Sequence, residues 1–482
     1  MAGLFNALNA AKTSLEVNQK SIEIVGNNIS NVNTEGYSRQ QADYGTYPAM
    51  NFGDFFIGQG VSISNVSRQH DVFIENQIQD KAVGFGFQDA LTRPLSELEQ
   101  IFTITDDSLS TDIDNFFDSL QELSADPSDL VQRNNVILQG EVLATNFNNT
   151  VNSLNTIKGN INDTLISKLD TVNSQLQELA DLNDRIFSIE VQGQTANGAR
   201  DQRDIILKNL AISVGAESYE NDNGMVSVTL PGGLPLVEGN IPMSIDAVQS
   251  GSSLELELSA GGTTTTLSNR IIGGEFKGLL EMRDTFIPEL NEDLDKLAYE
   301  LSVQINQAHQ AGGALDSSTG NLFFNTPPNY VASPPAPPPT AAEYEGAARA
   351  MRVVITDPAK IAAGEAPDPG PPPGTVAPGD NSNALTLSNI GDTYLIDGVD
   401  SFTSLYGKMA AKVGVESNQN LLSLKGAEDA LVQLENFRDG LVGVSLEEEM
   451  ISLIQYQRGF ESSAKFLSTV DEMMTTIIDI KR

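Results

Sequence analysis

Apolar residues recur at helical spacing along most of the chain, and the pattern is most regular at the two ends. Leu8, Leu15, Ile22 and Ile29 fall seven apart, and Leu4, Ala11, Asn18, Val25 and Val32 form a second row. Together they make the a/d stripe of a coiled coil, which needs a partner helix to bury it. Asn18 interrupts the second row, and a polar residue there sets register at a cost in stability. The pattern stops at Thr34-Glu35-Gly36-Tyr37, where Gly36 suits a left-handed helix cap. An irregular stretch rich in glycine and aromatics follows to about residue 80, and Val61–Val66 alternates within it as a strand.

The last segment mirrors the first. Leu446, Leu453, Phe460, Leu467 and Met474 again fall seven apart, and Met450, Ile454, Ala464, Val470 and Ile478 widen the stripe. Ser445 followed by Glu447, Glu448 and Glu449 offers a capping hydroxyl and then acids over the positive end of the helix dipole. Lys481-Arg482 suit the opposite end. Either the two seams pack on each other or on the body as ordinary core, or they pair only on assembly. Neither has an evident partner on the body, so the ends are expected to be largely unordered in the monomer. On assembly they would coil together and pack laterally on neighbouring copies.

Between the ends the spacing predicts further helices. Ile113, Phe116, Phe117, Leu120 and Leu123 mark one that Asp126-Pro127 ends. A longer pattern runs from Leu130 through Phe147, Leu165, Leu176 and Ile189, with Gly140 and Gly159 as possible interruptions. Roughly sixty helical residues reach about 90 Å, which suggests a rod. Leu290, Leu294, Leu297, Leu301 and Ile305 form another helix, stopped by Gly312-Gly313, and Leu421, Leu424, Leu431, Leu434 and Leu441 one more. Two insertions break this pattern. In the first, Val226, Val228 and Leu230 alternate with polar residues after the hairpin-turn sequence Asp222-Asn223-Gly224, and Leu254, Leu256 and Leu258 alternate with glutamates. The second holds 14 of the 21 prolines, including Pro334–Pro339, and reads as stiff exposed loop. Short strand candidates there are Arg352–Thr356 and Ala384–Leu387.

The expected fold is mainly α with a β insertion, an α+β multidomain chain. Residues 1–80 and 446–482 form a terminal coiled-coil assembly domain. Residues 81–211, 273–314 and 401–445 form an elongated helical bundle. Residues 212–272 are an inserted small β domain, and 315–400 a proline-rich insertion with short strands.

Composition narrows the chemistry. The 482 residues include no Cys and no Trp, only two His, and 65 Asp+Glu against 28 Lys+Arg, a net charge of -37. The absence of Cys excludes disulfides, thiolate nucleophiles and Cys-ligated metals. So acidic a surface argues against nucleic acid, which demands a basic one. The acids are spread along the chain, as suits solubility and repulsion between copies. No apolar run reaches the ~20 residues of a membrane span. The N-terminus lacks the early basic residue and continuous apolar run of a secretory signal. The chain is therefore expected to be cytoplasmic, or to leave the cell without a cleaved signal.

No phosphate-binding loop, dinucleotide fingerprint, zinc-protease motif or nucleophile elbow is present. Asn291, Asp293 and Asp295 have the opening spacing of a calcium loop, but Lys296 stands at its glycine position within a helical seam. His309 lies near a helix end, where a base favours the dipole, and His70 has no second His. Asn-x-Ser/Thr at Asn28, Asn65, Asn148 and Asn162 reads as chance. No catalytic, cofactor or metal site is expected.

Two stretches resemble a known family. Gly26-Asn27-Asn28-Ile29-Ser30-Asn31-Val32-Asn33-Thr34-Glu35-Gly36-Tyr37-Ser38-Arg39-Gln40 resembles the N-terminal signature of the bacterial flagellar axial proteins, with Asn27, Asn28, Asn31, Asn33, Gly36 and Tyr37 carrying the motif. Gly443–Met450, Tyr456-Gln457-Arg458 and Ser468-Thr469-Val470-Asp471-Glu472-Met473 resemble the matching C-terminal signature, in a form that favours its hook-associated members. Gly273–Asp284, Leu297–Gly313, Ile355–Ala363 and Gly379–Ala384 continue the likeness, while the proline-rich insertion departs from it.

The resemblance implies a structural protein that forms a ring between hook and filament. Its partners would be other copies of itself, the hook protein, a second junction protein and an export chaperone on the C-terminal helix. It also implies export through the flagellar type III apparatus to the extracellular flagellum. The expected packing seam is Leu8, Leu15, Ile22, Val25, Ile29 and Val32 with Leu446, Met450, Leu453, Phe460, Leu467 and Met474. The alternatives are a hook- or rod-type axial protein, or an axial scaffold displaying an adhesin-like outer domain. A fused hydrolase finds no convergent His/Asp/Glu cluster in either insertion.

Overall fold

Each stretch of helical spacing folds as a helix, and a computed structural model describes residues 2–51, 56–251, 253–330, 340–368, 374–396 and 398–480. Pro334–Pro339 and Lys481-Arg482, read above from sequence, lie outside the described residues. The helices are α1 (Ala2–Ser30), α2 (Val72–Phe102), α3 (Leu109–Ala125), α4 (Leu130–Glu190), α5 (Asn197–Val214) and α6 (Gly274–Glu281). They continue with α7 (Ile287–Ala311), α8 (Ala341–Tyr344), α9 (Ala347–Ala350), α10 (Ser382–Asn389), α11 (Phe402–Val442) and α12 (Leu446–Ile480). The fold is mainly α, with small antiparallel sheets set between the helices.

Strand β1 (Gln40–Thr46) pairs antiparallel with β4 (Val61–Arg68), and the short β2 (Met50–Asn51) pairs with β3 (Phe56–Ile57). Four strands follow in the order β5 (Glu217–Glu220), β6 (Val226–Thr229), β7 (Pro235–Glu238) and β8 (Ile241–Pro242). A second sheet has β10 (Ser253–Ala260) between β9 (Ser244–Ser250) and β11 (Thr263–Leu267). Gly312–Gly313 and Gly364–Glu365 pair as β12 and β13.

The chain divides into two compact units. The first comprises residues 1–87, 167–277 and 425–482, and the second residues 88–166 and 278–424. In the first unit, Ile74, Ile78 and Ala82 of α2 pack with Ala211 of α5 and Leu431 of α11. The four-stranded sheet is buried on both faces at its centre, with Val226, Val228 and Val237 on one side and Ser227 and Leu236 on the other, while the three-stranded sheet buries one face through Ile245, Leu256 and Leu258. Two asparagines of α4 then act as extra strand positions. Asn183 Nδ2 donates to Val226 O at 2.7 Å while its Oδ1 accepts from Val226 N at 3.1 Å. Asn173 does the same with Ile245, at 2.8 and 2.9 Å. A buried amide satisfied at both ends fixes register where an apolar contact would allow sliding.

In the second unit, α3 buries Ile113, Phe116, Phe117, Leu120 and Leu123 on one face. Phe116, Phe323 and Phe324 pack in tilted and edge-to-face contacts with ring centroids 4.8 to 5.7 Å apart. Neither Gly140 nor Gly159 interrupts α4, and a Cβ at Gly140 would stand 2.7 Å from Phe323, so the glycine there serves close packing. Asp295, first noticed for its calcium-like spacing, is a buried acceptor that takes hydrogen bonds from Gly346 N and Ala348 N at 3.0 and 2.9 Å.

Three further local expectations differ from the structure. Ala384–Leu387 is part of helix α10 rather than a strand, because Asn383, Ala384 and Leu387 make one buried helical face. Of Arg352–Thr356, only Val353 makes a strand-like bridge, to Phe324. His309 is not a charged base favouring a helix dipole. It is fully buried, its Nδ1 lies 2.8 Å from Asn321 O, and its Nε2 accepts from Ala362 N at 3.0 Å. Burial lowers its pKa to about 4, so the ring is neutral near pH 7.

Candidate assembly interface at the chain ends

The first and last helices pack on each other within the first unit. Ser14 Oγ and Ser463 Oγ lie 2.8 Å apart, and Asn28 Nδ2 donates to Glu449 Oε2 at 3.0 Å. Contacts climb α1 as they descend α12, so the helices are antiparallel. Between those points Gly459 faces Asn18, and Tyr44 OH, 2.9 Å from Ser21 Oγ, donates to Tyr456 OH at 3.0 Å. Ser14, Ser21 and Asn28 are seven apart, as are Glu449, Tyr456 and Ser463. The centre of the pair is therefore a row of small and polar side chains at coiled-coil spacing, each bonded across or beside the contact. The close approach has a local cause: a Cβ on Gly459 would stand 2.5 Å from Asn18 Oδ1.

The asparagine-rich signature closes one end of this pair. Asn28 is 1% exposed and uses all its hydrogen-bonding capacity. Its Oδ1 accepts from Gln40 N at 3.0 Å and Tyr37 OH at 2.9 Å, and its Nδ2 donates to Gln40 O at 2.9 Å as well as to Glu449. Glu449, also 1% exposed, accepts from Arg39 Nε at 2.7 Å through its other oxygen. Arg39 Nη1 sits 3.3 Å from Glu448. Burying a carboxylate this deeply is costly unless it is paired and hydrogen-bonded.

Asn31 Nδ2 donates to Asn27 O and Oδ1 at 3.0 and 2.9 Å, and Asn33 is exposed at the turn. Gly36 has φ +71°, and a Cβ there would lie 2.7 Å from Ile205. Burial, reinforced by the charges of Asp201 and Glu449, pushes the Tyr37 pKa up to about 12, which keeps its hydroxyl a donor. Ser38 N donates to Asp201, whose carboxylate also takes Arg68 Nη1 at 2.7 Å. Burial opposes the charge on Arg68, but Asp204 and Asp201 outweigh it and raise the pKa.

The apolar seam residues flank this polar centre. Val25 is buried, and Leu8, Leu15, Ile22, Ile29, Val32, Leu453, Leu467 and Met474 are half-buried. Leu446, Met450 and Phe460 remain 48%, 49% and 37% exposed. The expectation that the ends lack order in the monomer differs from the structure, where each helix finds its partner in the other. The apolar pattern drew attention to the flanks, while the contact itself lies on the row of serine, asparagine, glutamate and tyrosine.

Arg39 and Tyr456 fall in the family-like stretches without a role assigned from sequence, and the apolar pattern does not single out Ser14, Ser21, Tyr44, Gly459 or Ser463. Their signal was a second, small-and-polar heptad row beside the apolar one. Among the described residues no group of three or more His, Asp or Glu is placed to hold a metal ion. No helix among them is long and apolar enough to cross a membrane. The arrangement offers packing surface and a buried polar clasp.

Comparison with known proteins points the same way. Residues 95–324 match the family model of the flagellar hook-associated protein FlgK helical domain. Residues 6–37 match the flagella basal body rod protein model, and 441–480 the C-terminal model of the flagellar basal body rod FlgEFG proteins. The chain is 27% identical to flagellar hook-associated protein 1 of Bacillus subtilis, over 99% of each chain. It is 24% identical to that of Escherichia coli, over 98% of this chain and 99% of the relative. The solved structure of the flagellar hook junction protein FlgK from Burkholderia pseudomallei shares the fold. Its TM-score is 0.66 at 17% identity, covering 77% of this chain and all of that one.

Proposed function

We propose that this chain, which belongs to the flagellar hook-associated protein 1 family, builds part of the flagellar axis. It is a structural component of the bacterial flagellum and serves at the junction of hook and filament. Its copies form a ring, with the hook protein on one side and a second junction protein on the other. It reaches the extracellular flagellum without a cleaved signal, escorted by a chaperone on α12, and it carries no catalysis. The helical-domain match over residues 95–324 favours this over a hook- or rod-type protein.

One observation carries the assembly reading. Polar contacts lock α1 to α12, while Leu446, Met450 and Phe460 stay exposed on the same helix pair. Burying one such side chain stabilises by roughly 1.5–3 kcal/mol, and repetition around a ring multiplies the effect. The uncovered seam is thus the surface for neighbouring axial subunits. Leu453→Asp, and Met450→Asp at a site exposed in the monomer, should each abolish filament growth and release the protein to the medium. Normal filaments in both strains would refute the seam.

A further inference from the structure

A cavity of about 380 Å³ opens beneath the signature loop, within the first unit. Its lining includes Glu35, Glu75, Asp204, Glu435 and Asp439 but only two bases, Lys208 and Arg438. Both bases are engaged: Lys208 pairs with Glu435, and Arg438 lies 3.9 Å from Glu75 and 2.8 Å from Asp439. Asp204 is held by Arg68 at 2.6 Å, so the five lining carboxylates face three bases and stay in excess, with Glu35 outside any of these pairs. Burial pushes the Glu75 pKa up, with Arg438 opposing it.

The complementary surface lies on α12. Ile451, Ile454, Arg458 and Lys465 follow helical spacing on one face, two residues on from the row Glu449, Tyr456 and Ser463 that meets α1. Two residues turn about 200° around a helix, so this face points away from α1. All four side chains are exposed. Neither Arg458 nor Lys465 forms a salt bridge among the described residues, in a chain whose bases are outnumbered 65 to 28.

We propose that this outer face of α12 docks, through Arg458 and Lys465, into the acidic cavity beneath the signature loop of a neighbouring copy. Two different patches meet in such a contact, so it is heterologous, the kind that closes rings or extends helically. The cavity supplies negative charge, the helix supplies the positive charge, and Ile451 and Ile454 exclude water around the pairs. Against a chain of net charge -37, local complementarity of this kind fixes which surfaces meet. The proposal rests on the ring reading and specifies its contact.

Reversing the charges tests it with the full chain. One variant carries Arg458→Glu and Lys465→Glu, and the other carries Glu35→Lys and Asp439→Lys. Each alone should reduce incorporation into flagella at least tenfold. Co-expression should restore it, because in an alternating ring every contact then joins opposite charges. Restoration also shows that both variants fold. The chain has no cysteine, so Arg458→Cys with Asp439→Cys in one chain should cross-link isolated flagella into a ladder of dimers and higher species. Normal incorporation of either variant, no restoration on co-expression, or cross-linked species confined to monomer or dimer would overturn the contact. Labelling at a site other than the hook–filament boundary would instead overturn the junction reading, and leaves the ladder as an independent measure of the contact.

Discussion

Removing the buried carboxylate at the end of the helix pair should open that pair without touching the second unit. Glu449 accepts a charge-assisted bond from Arg39 at 2.7 Å and another from Asn28 at 3.0 Å, with 1% of its surface exposed. Breaking a buried ion pair by deleting one partner costs about 3–5 kcal/mol. Arg39 retains Glu448 at 3.3 Å, and its side chain is 23% exposed, which favours the lower end of the range. Glu449→Ala should therefore destabilise the clasp by ~3 kcal/mol, or about a hundredfold in the opening equilibrium.

Hydrogen exchange on the full-length monomer reads this directly. Amides in the first half of α12 and the last turns of α1 should lose about two decades of protection, while α7 in the second unit keeps its own. Glu449→Gln, which can still accept from Asn28, should lose less. In a double-mutant cycle, Arg39→Ala should cost little once Glu449 is Ala, a coupling of ~2 kcal/mol. Unchanged exchange in α12, or an equal loss in α7, would refute the clasp.

Gly459→Ala introduces a Cβ 2.5 Å from Asn18 Oδ1, so it should weaken the helix pair in the wild-type chain. With Asn18→Ala as background the same change should stabilise by about 1 kcal/mol, the helix propensity gain of alanine over glycine, and thermal unfolding would show the reversal of sign. Because His309 has a folded pKa of about 4 against its ordinary 6.5, the unfolded chain binds the extra proton between those values. Stability is then complete above pH 6.5 and falls as the pH drops towards 4, by up to about 3 kcal/mol. His309→Gln should flatten that slope in denaturant titrations followed across this range, and an unchanged slope would place its origin elsewhere.

Helix positions were legible because apolar spacing reports which face is buried, and α3, α7 and α12 begin and end close to the residues that the spacing and caps indicate. What spacing cannot report is which polar residue goes inside. Glu447, Glu448 and Glu449 read alike as acids at a helix start, yet Glu449 is buried because Asn28 and Arg39, more than 400 residues earlier, supply its partners. For the same reason nothing local marks the serines at 14 and 21 as inward-facing. Ala384–Leu387 is short and apolar, a pattern strand and helix share, and its packing as α10 decided between them. Helical spacing places His309 near a helix end, but its neutral state follows from complete burial, and its partners Asn321 and Ala362 are joined to it by no local pattern.

Labelled antibody against the full-length protein on intact flagella tests the central claim most directly. Label confined to a single band at the boundary between hook and filament is the predicted result. Label along the hook, along the filament or at the rod would contradict it.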